Sequence, residues 1–271
     1  MIGFALAATV ATVATAAAQR DAWPALPVEQ PTWAPRGWTL LEGGYRTVAT
    51  TSAPDLWTRR REGLLTVRYG FARRAELWAA LGGGSVERPF DRQLAVGAPS
   101  FGARFGLGRG EAPATSGSLV VGVLCPWETD SGLSTGTGGI RVGVEGRRQV
   151  GPFRVDGSLA GRWEAPGDVG WAGGQHLDPA EVASAGLGAL LQVGPLAPGV
   201  RLDADLVGGA RLDGRELAGG LRVTAAATGV IQLSRGLAIT GSLGDALVDD
   251  VALAPADVVG PSAELGLRIA L

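Results

Sequence analysis

The sequence contains no lysine and no asparagine, so all 24 of its basic side chains are arginines. It has one cysteine, Cys125, which excludes a disulfide within the chain, and one histidine, His176. Two such residues, far apart, are too few to build a metal centre of nitrogen and sulfur ligands. Charged residues make up 18% of the chain, against about a quarter in an average soluble domain. The net charge of −2 lacks the basic footprint of a nucleic-acid-binding protein. Past the N-terminal segment, no uninterrupted apolar stretch approaches the ~20 residues a membrane helix requires.

What is present is an apolar chain, 46% hydrophobic, with 44 glycines and eight tryptophans. The first residues, "MIGFALAATVATVATAAAQR", form an apolar run that ends in Ala16-Ala17-Ala18 before Gln19. That is the pattern of a secretory signal peptide, although no basic residue precedes the run. Residues 21–36, "DAWPALPVEQPTWAPR", are proline-rich and aperiodic. The expected organisation is a signal peptide over 1–18, an extended linker over 19–37 and one folded domain over 38–271, with an exported mature chain.

From Trp38 onward the dominant period is two. In "FRVDGSLAGRW" the residues Phe153, Val155, Gly157, Leu159, Gly161 and Trp163 share one face, while Arg154, Asp156, Ser158, Ala160 and Arg162 share the other. Alternation of this length signals a strand with one apolar and one polar side. Similar runs place Arg141 and Glu145, Arg201, Asp203 and Asp205, Arg222, Arg104, and Glu264 and Arg268 on polar faces. About twelve segments read this way, near 38–49, 62–71, 75–84, 98–108, 117–126, 137–147, 152–164, 184–194, 199–212, 219–233, 236–246 and 260–271. The connections tend to alternate between short and long, with long ones near 51–61, 85–97, 127–136, 165–183 and 247–259.

Two architectures fit alternating faces. In a soluble sandwich the apolar faces meet in a core; in an outer-membrane barrel they meet lipid and the polar faces line the interior. Strand lengths of roughly 10–13 exceed the 5–6 typical of globular sheets and match a tilted membrane strand. Phe153 and Trp163 bracket an apolar row whose rise, at about 3.3 Å per residue and a tilt of roughly 40°, is near 25 Å, the height of a lipid-facing belt between aromatic girdles. An arginine at mid-bilayer on the lipid face costs roughly 2–4 kcal/mol. The expected fold is therefore all-β, an antiparallel up-and-down transmembrane barrel of about twelve strands in the outer membrane, with its last strand paired to its first. The expected lumen lining is Arg68, Arg104, Arg141, Glu145, Arg154, Asp156, Arg162, Arg201, Asp203, Asp205, Arg222, Glu264 and Arg268. The expected partners are outer-membrane lipid and a small-molecule solute, with no nucleic acid and no cofactor.

Several stretches resemble a known family. "LLTVRYGFARRAEL" resembles the early hairpin of the outer-membrane barrels named for the MetA pathway of phenol degradation, with a strand ending in R-Y-G, a short turn and a Glu. "VGAPSFGARFGLG" is similar to that family's next strand, with Gly97-Ala98-Pro99 where a G-D pair is usual. "SLVVGVLCPWETDSG" resembles its P-T-G strand end, with Pro126-Trp127 in that place, and the chain closes on Leu271 where Phe is usual. The resemblance implies a transport barrel for small, often hydrophobic compounds.

Other readings of the chain are a non-transporting structural or adhesive barrel acting through the loops near 85–97 and 165–183, and a barrel hydrolase in which His176 would use Ser184 or Asp178. No triad-like spacing surrounds His176, and the expectation is that the chain is not an enzyme. The glycine-rich stretches at 82–85 and 134–139 lack the lysine and the strand–helix context of a phosphate loop.

Overall fold

The computed structural model describes residues 33–53, 56–88, 91–96, 99–107, 115–126, 138–169, 175–234, 236–250 and 260–271. The segment read as a signal peptide and residues 19–32 of the linker lie outside these. Among the described residues there are seventeen strands and no helix.

Twelve strands form a closed ring. In chain order they are β1 (Thr39–Ala53), β2 (Leu56–Ala72), β3 (Ala75–Arg88), then, past β4 (Asp91–Val96), β5 (Ser100–Leu107), β6 (Thr115–Leu124), β7 (Gly139–Val150) and β8 (Phe153–Glu164). After two short strands, β9 (Gly167–Val169) and β10 (Gln175–Asp178), the ring resumes with β11 (Val182–Leu191) and β12 (Leu196–Val207). Two more short strands, β13 (Ala210–Leu212) and β14 (Arg215–Leu217), precede β15 (Gly220–Ser234), β16 (Leu237–Asp249) and β17 (Ser262–Ala270). Every barrel neighbour is antiparallel, and β1 pairs with both β2 and β17. Thr39 and Leu271 exchange backbone hydrogen bonds of 3.0 and 2.8 Å, so the ring closes where its two ends meet. Closure pairs each of the twelve ring strands with a neighbour on both sides, which removes the open edge that hydrocarbon would not tolerate; above that level β4 pairs with β3 alone among the described residues.

The fourth barrel strand is broken in two. The lower part of β3 pairs with β5 and its upper part, Gly83–Arg88, pairs with β4. Pro99 sits at the break and has no N–H to give to the ladder. Where long loops are expected near 51–61 and 85–97, the described residues are instead strand: β1 and β2 run to 15 and 17 residues and β3 to 14. These extensions alternate less cleanly in apolarity, because above the lipid belt neither face needs to be apolar.

The alternation of faces falls as the sequence implied. On β8 the outward Phe153, Val155, Leu159 and Trp163 are exposed on the barrel surface, and the inward Arg154 is buried. The same holds for Leu187 on β11, Leu202 on β12, Leu243 on β16 and Leu265 on β17. A contiguous apolar belt of this extent is far beyond the few hundred Å² that a soluble monomer exposes. Among the described residues, Trp33 to Trp38, Leu271 and the tight turns after β2, β7, β11 and β15 lie at one end of the ring, the end that is periplasmic in barrels of this kind.

At the loop end β14, β13, β10 and β9 form a separate four-stranded sheet. Its β13–β14 turn is Asp213-Gly214, both with positive φ (48° and 76°), the pair that a two-residue type I′ hairpin demands. Leu177 and Ala210 of this sheet, together with Val207 at the top of β12, are buried.

Candidate functional site

The turn end of the bore is filled by one continuous charge network. Glu76, fully buried on β3, receives two hydrogen bonds from Arg68 on β2: Nε to Oε1 at 2.8 Å and Nη2 to Oε2 at 2.9 Å. The Nε of Arg104, on β5, lies 3.5 Å from the same Oε1, and its Nη2 donates to Glu145 on β7 at 3.3 Å. On the other side Arg68 lies 3.6 Å from Glu42 on β1, which also pairs with Arg268 on β17 at 2.7 Å. Three arginines and three glutamates from six strands thus neutralise one another. Beside them Asp156 on β8 accepts from Arg147 at 2.7 Å and from Arg154 at 2.6 Å. Inward charges at this depth persist because each meets an opposite partner.

The chain before β1 completes this floor. Residues 33–37, assigned to a linker from sequence, pack inside the barrel mouth. The backbone N–H of Ala34 donates to Glu76 Oε2. The indole Nε1 of Trp33 donates to the Arg73 carbonyl at 3.3 Å. Gly37 N donates to Gly70 O at 2.7 Å, and Gly70 N to Trp38 O at 3.0 Å. A Cβ at Gly70 would collide with the carbonyl oxygens of Ala34 and Pro35, so only glycine lets the segment cross β2 this closely. Leu40, Leu190, Ala197 and Ala238 are buried around the rest of the floor.

Above the floor several inward side chains are exposed. The Arg201 side chain is 57% exposed although it forks onto Asp203 of its own strand at 2.6 and 2.9 Å. The Arg162 side chain, 3.1 Å from Glu164, is 47% exposed. Arg141 and Glu264 are also exposed. The wall from β11 to β17 is lined largely by small residues at inward positions, including Ser184, Gly186, Gly188, Ala226, Thr228, Thr240 and Ser242. These small inward residues stand opposite the bulky network on β1 to β7.

The candidates from sequence divide into three groups. Arg68, Arg104, Glu145, Arg154, Asp156 and Arg268 belong to the floor. Arg141, Arg162, Arg201, Asp203 and Glu264 sit at inward register positions above it. Asp205 accepts from Ser184 at 2.6 Å, and Arg222 pairs with Asp249 at 3.1 Å near the loop end. Sequence reasoning missed Glu76, Glu42 and Arg147. The signal for Glu76 was available: with a tight turn at 73–74, residues 68 and 76 fall on the same face of one hairpin. His176 lies in β10 of the outer sheet, its Nδ1 3.0 Å from Asp168 Oδ1 and its N–H bonded to Asp213 at 2.8 Å. Ser184, held by Asp205 on the barrel wall, is not among these partners.

No family model matches the sequence, and no curated protein matches it in sequence. Solved structures match in shape. The crystal structure of an outer membrane channel from Pseudomonas putida F1 superposes with a TM-score of 0.73 at 17% identity, covering 88% of this chain and 96% of that one. The NanC porin follows at 0.53 and 10% identity, covering 85% and 98%. The β domain of the Bordetella autotransporter BrkA gives 0.51 at 13%, covering 86% and 99%.

The chain has the fold of an outer-membrane β-barrel. Its apolar belt and charged interior need a membrane around the barrel and water within it, and the outer membrane supplies both. The barrel's expected strand number and ring closure stand, and among the described residues its interior is packed at the turn end and carries exposed inward side chains toward the loop end.

Proposed function

We propose that the barrel is a narrow channel that admits small solutes from outside and passes them inward when its floor yields. The observation that carries this reading is the wet upper bore, where Arg201 and Arg162 stay about half exposed while facing inward. A bore built only as filler would bury such side chains along its whole height. The outer membrane channel and the porin that share the fold support the same reading. Leu64 faces inward, more than half exposed, opposite Gly44 and Gly82. It adds an apolar patch to a polar lining, which suits a solute with an apolar part, the class the sequence resemblance also implies.

A liposome swelling assay tests it. The folded barrel should admit small solutes, with uptake falling steeply as solute size rises. Absence of uptake for every solute would remove the channel reading. The packed floor favours the second reading, a non-transporting envelope barrel, which would then take its place.

A further inference from the structure

The outward face of the β2–β4 region changes character abruptly at the top of the apolar belt. Along β2 the outward positions are Phe71, Tyr69, Val67, Leu65, Gly63, Arg61 and Arg59. Phe71, Val67 and Leu65 are exposed apolar residues. Arg61 is opposite Ser85, which is opposite Leu94; Arg59 is opposite Glu87, which is opposite Arg92. Directly paired residues of antiparallel strands share a face, so Arg59, Arg61, Glu87 and Arg92 form one outward cluster. Glu87 Oε1 lies 3.0 Å from Arg61 Nη1 and 3.4 Å from Arg92 Nε. Among the described outward residues these three arginines surround one carboxylate, and the Arg92 side chain is 60% exposed.

The height of the cluster indicates what it meets. Arg61 stands ten residues above Phe71 on the same strand, about 25 Å along the membrane normal at the usual rise and tilt. Tyr45, exposed on β1 opposite Gly63, lies one step below it and marks the interface level where such rings sit. Leu94 and Val96, both exposed, continue the apolar face directly beneath Arg92. On β16 the exposed outward residue between Leu243 and Leu247 is instead an aspartate, Asp245.

We propose that Arg59, Arg61 and Arg92 bind the phosphate groups of the outer leaflet's glycolipid, with its acyl chains laid against Leu65, Leu94 and Val96. Guanidinium forks match phosphate oxygens in geometry and charge, and Glu87 orients two of the forks toward one place. A membrane lipid fits better than a soluble anion because the basic groups adjoin apolar surface at headgroup height.

The test uses the full folded barrel in neutral detergent, with lipid A carrying both phosphates as the probe and dephosphorylated lipid A as the comparison. Binding is read by native mass spectrometry. The wild type should prefer phosphorylated lipid A, and the triple variant R59Q/R61Q/R92Q should lose about tenfold or more of that affinity. Added salt should weaken wild-type binding, and the triple lysine variant should recover part of it. Heat-modifiable gel mobility reports that each variant is folded; if the triple variant is not, R92Q alone is read, with the same direction and a smaller loss. Equal affinity of wild type and the glutamine variant would overturn the proposal. So would indifference of the wild type to the lipid's phosphates. A glutamine variant that changes oligomeric state while retaining lipid A would overturn it in favour of a contact between copies of the barrel.

Discussion

Arg68 and Glu76 meet inside the barrel through two hydrogen bonds, and Glu76 also accepts from the backbone of Ala34, a residue that precedes the first strand. One carboxylate thus ties two neighbouring strands to the segment that blocks the mouth. Its surroundings make it the centre of the floor, with Arg104 a second basic neighbour at 3.5 Å.

Removing that charge leaves two inward arginines without their shared partner. Glu76→Gln should lower stability by about 3–5 kcal/mol, the usual cost of breaking a buried ion pair from one side. Urea unfolding of the detergent-folded barrel, followed by gel mobility, measures it; a loss below about 1 kcal/mol would show that the network is hydrated and weakly coupled.

Gly70 permits the close crossing of the N-terminal segment. Gly70→Val should displace residues 33–37 from the mouth while leaving the ring of strands closed, because Gly70 faces the segment and not a barrel neighbour. Single-channel recording should then show a larger conductance than the wild type. An unchanged conductance would mean that the segment does not limit passage.

The two faces of β8 respond oppositely to a new arginine. Leu159→Arg, on the lipid face midway between Phe153 and Trp163, should cost about 2–4 kcal/mol if that height is the bilayer centre. Ser158→Arg, one residue away and facing inward, should cost much less. Equal penalties would contradict the assignment of inside and outside.

Much of this was legible in the sequence because a barrel writes its two solvents into alternate residues. The row from Phe153 to Trp163 gave one strand, and the parity of Arg68, Arg104 and Arg154 gave their inward direction. Partners were less legible: which carboxylate meets which arginine depends on the stagger between strands, so Asp205 met Ser184 and Arg68 met Glu76. The hairpin extensions of β1 to β4 were hidden because residues such as Arg59–Arg61 break the alternation above the belt. The insertion of Trp33 and Ala34 into the mouth was hidden too, since a proline-rich aperiodic stretch carries no period to reveal a contact with Gly70.

Interior charge should govern ion preference where the bore is open, and Arg201 rather than the buried Arg154 is the residue to change. Planar-bilayer recording of the folded barrel, wild type against Arg201→Ala, is the most direct measurement of whether this bore conducts. A small, discrete conductance whose preference shifts toward cations in Arg201→Ala is the result expected. No conductance in the wild type or in Gly70→Val, with the barrel folded and inserted, would contradict the channel account.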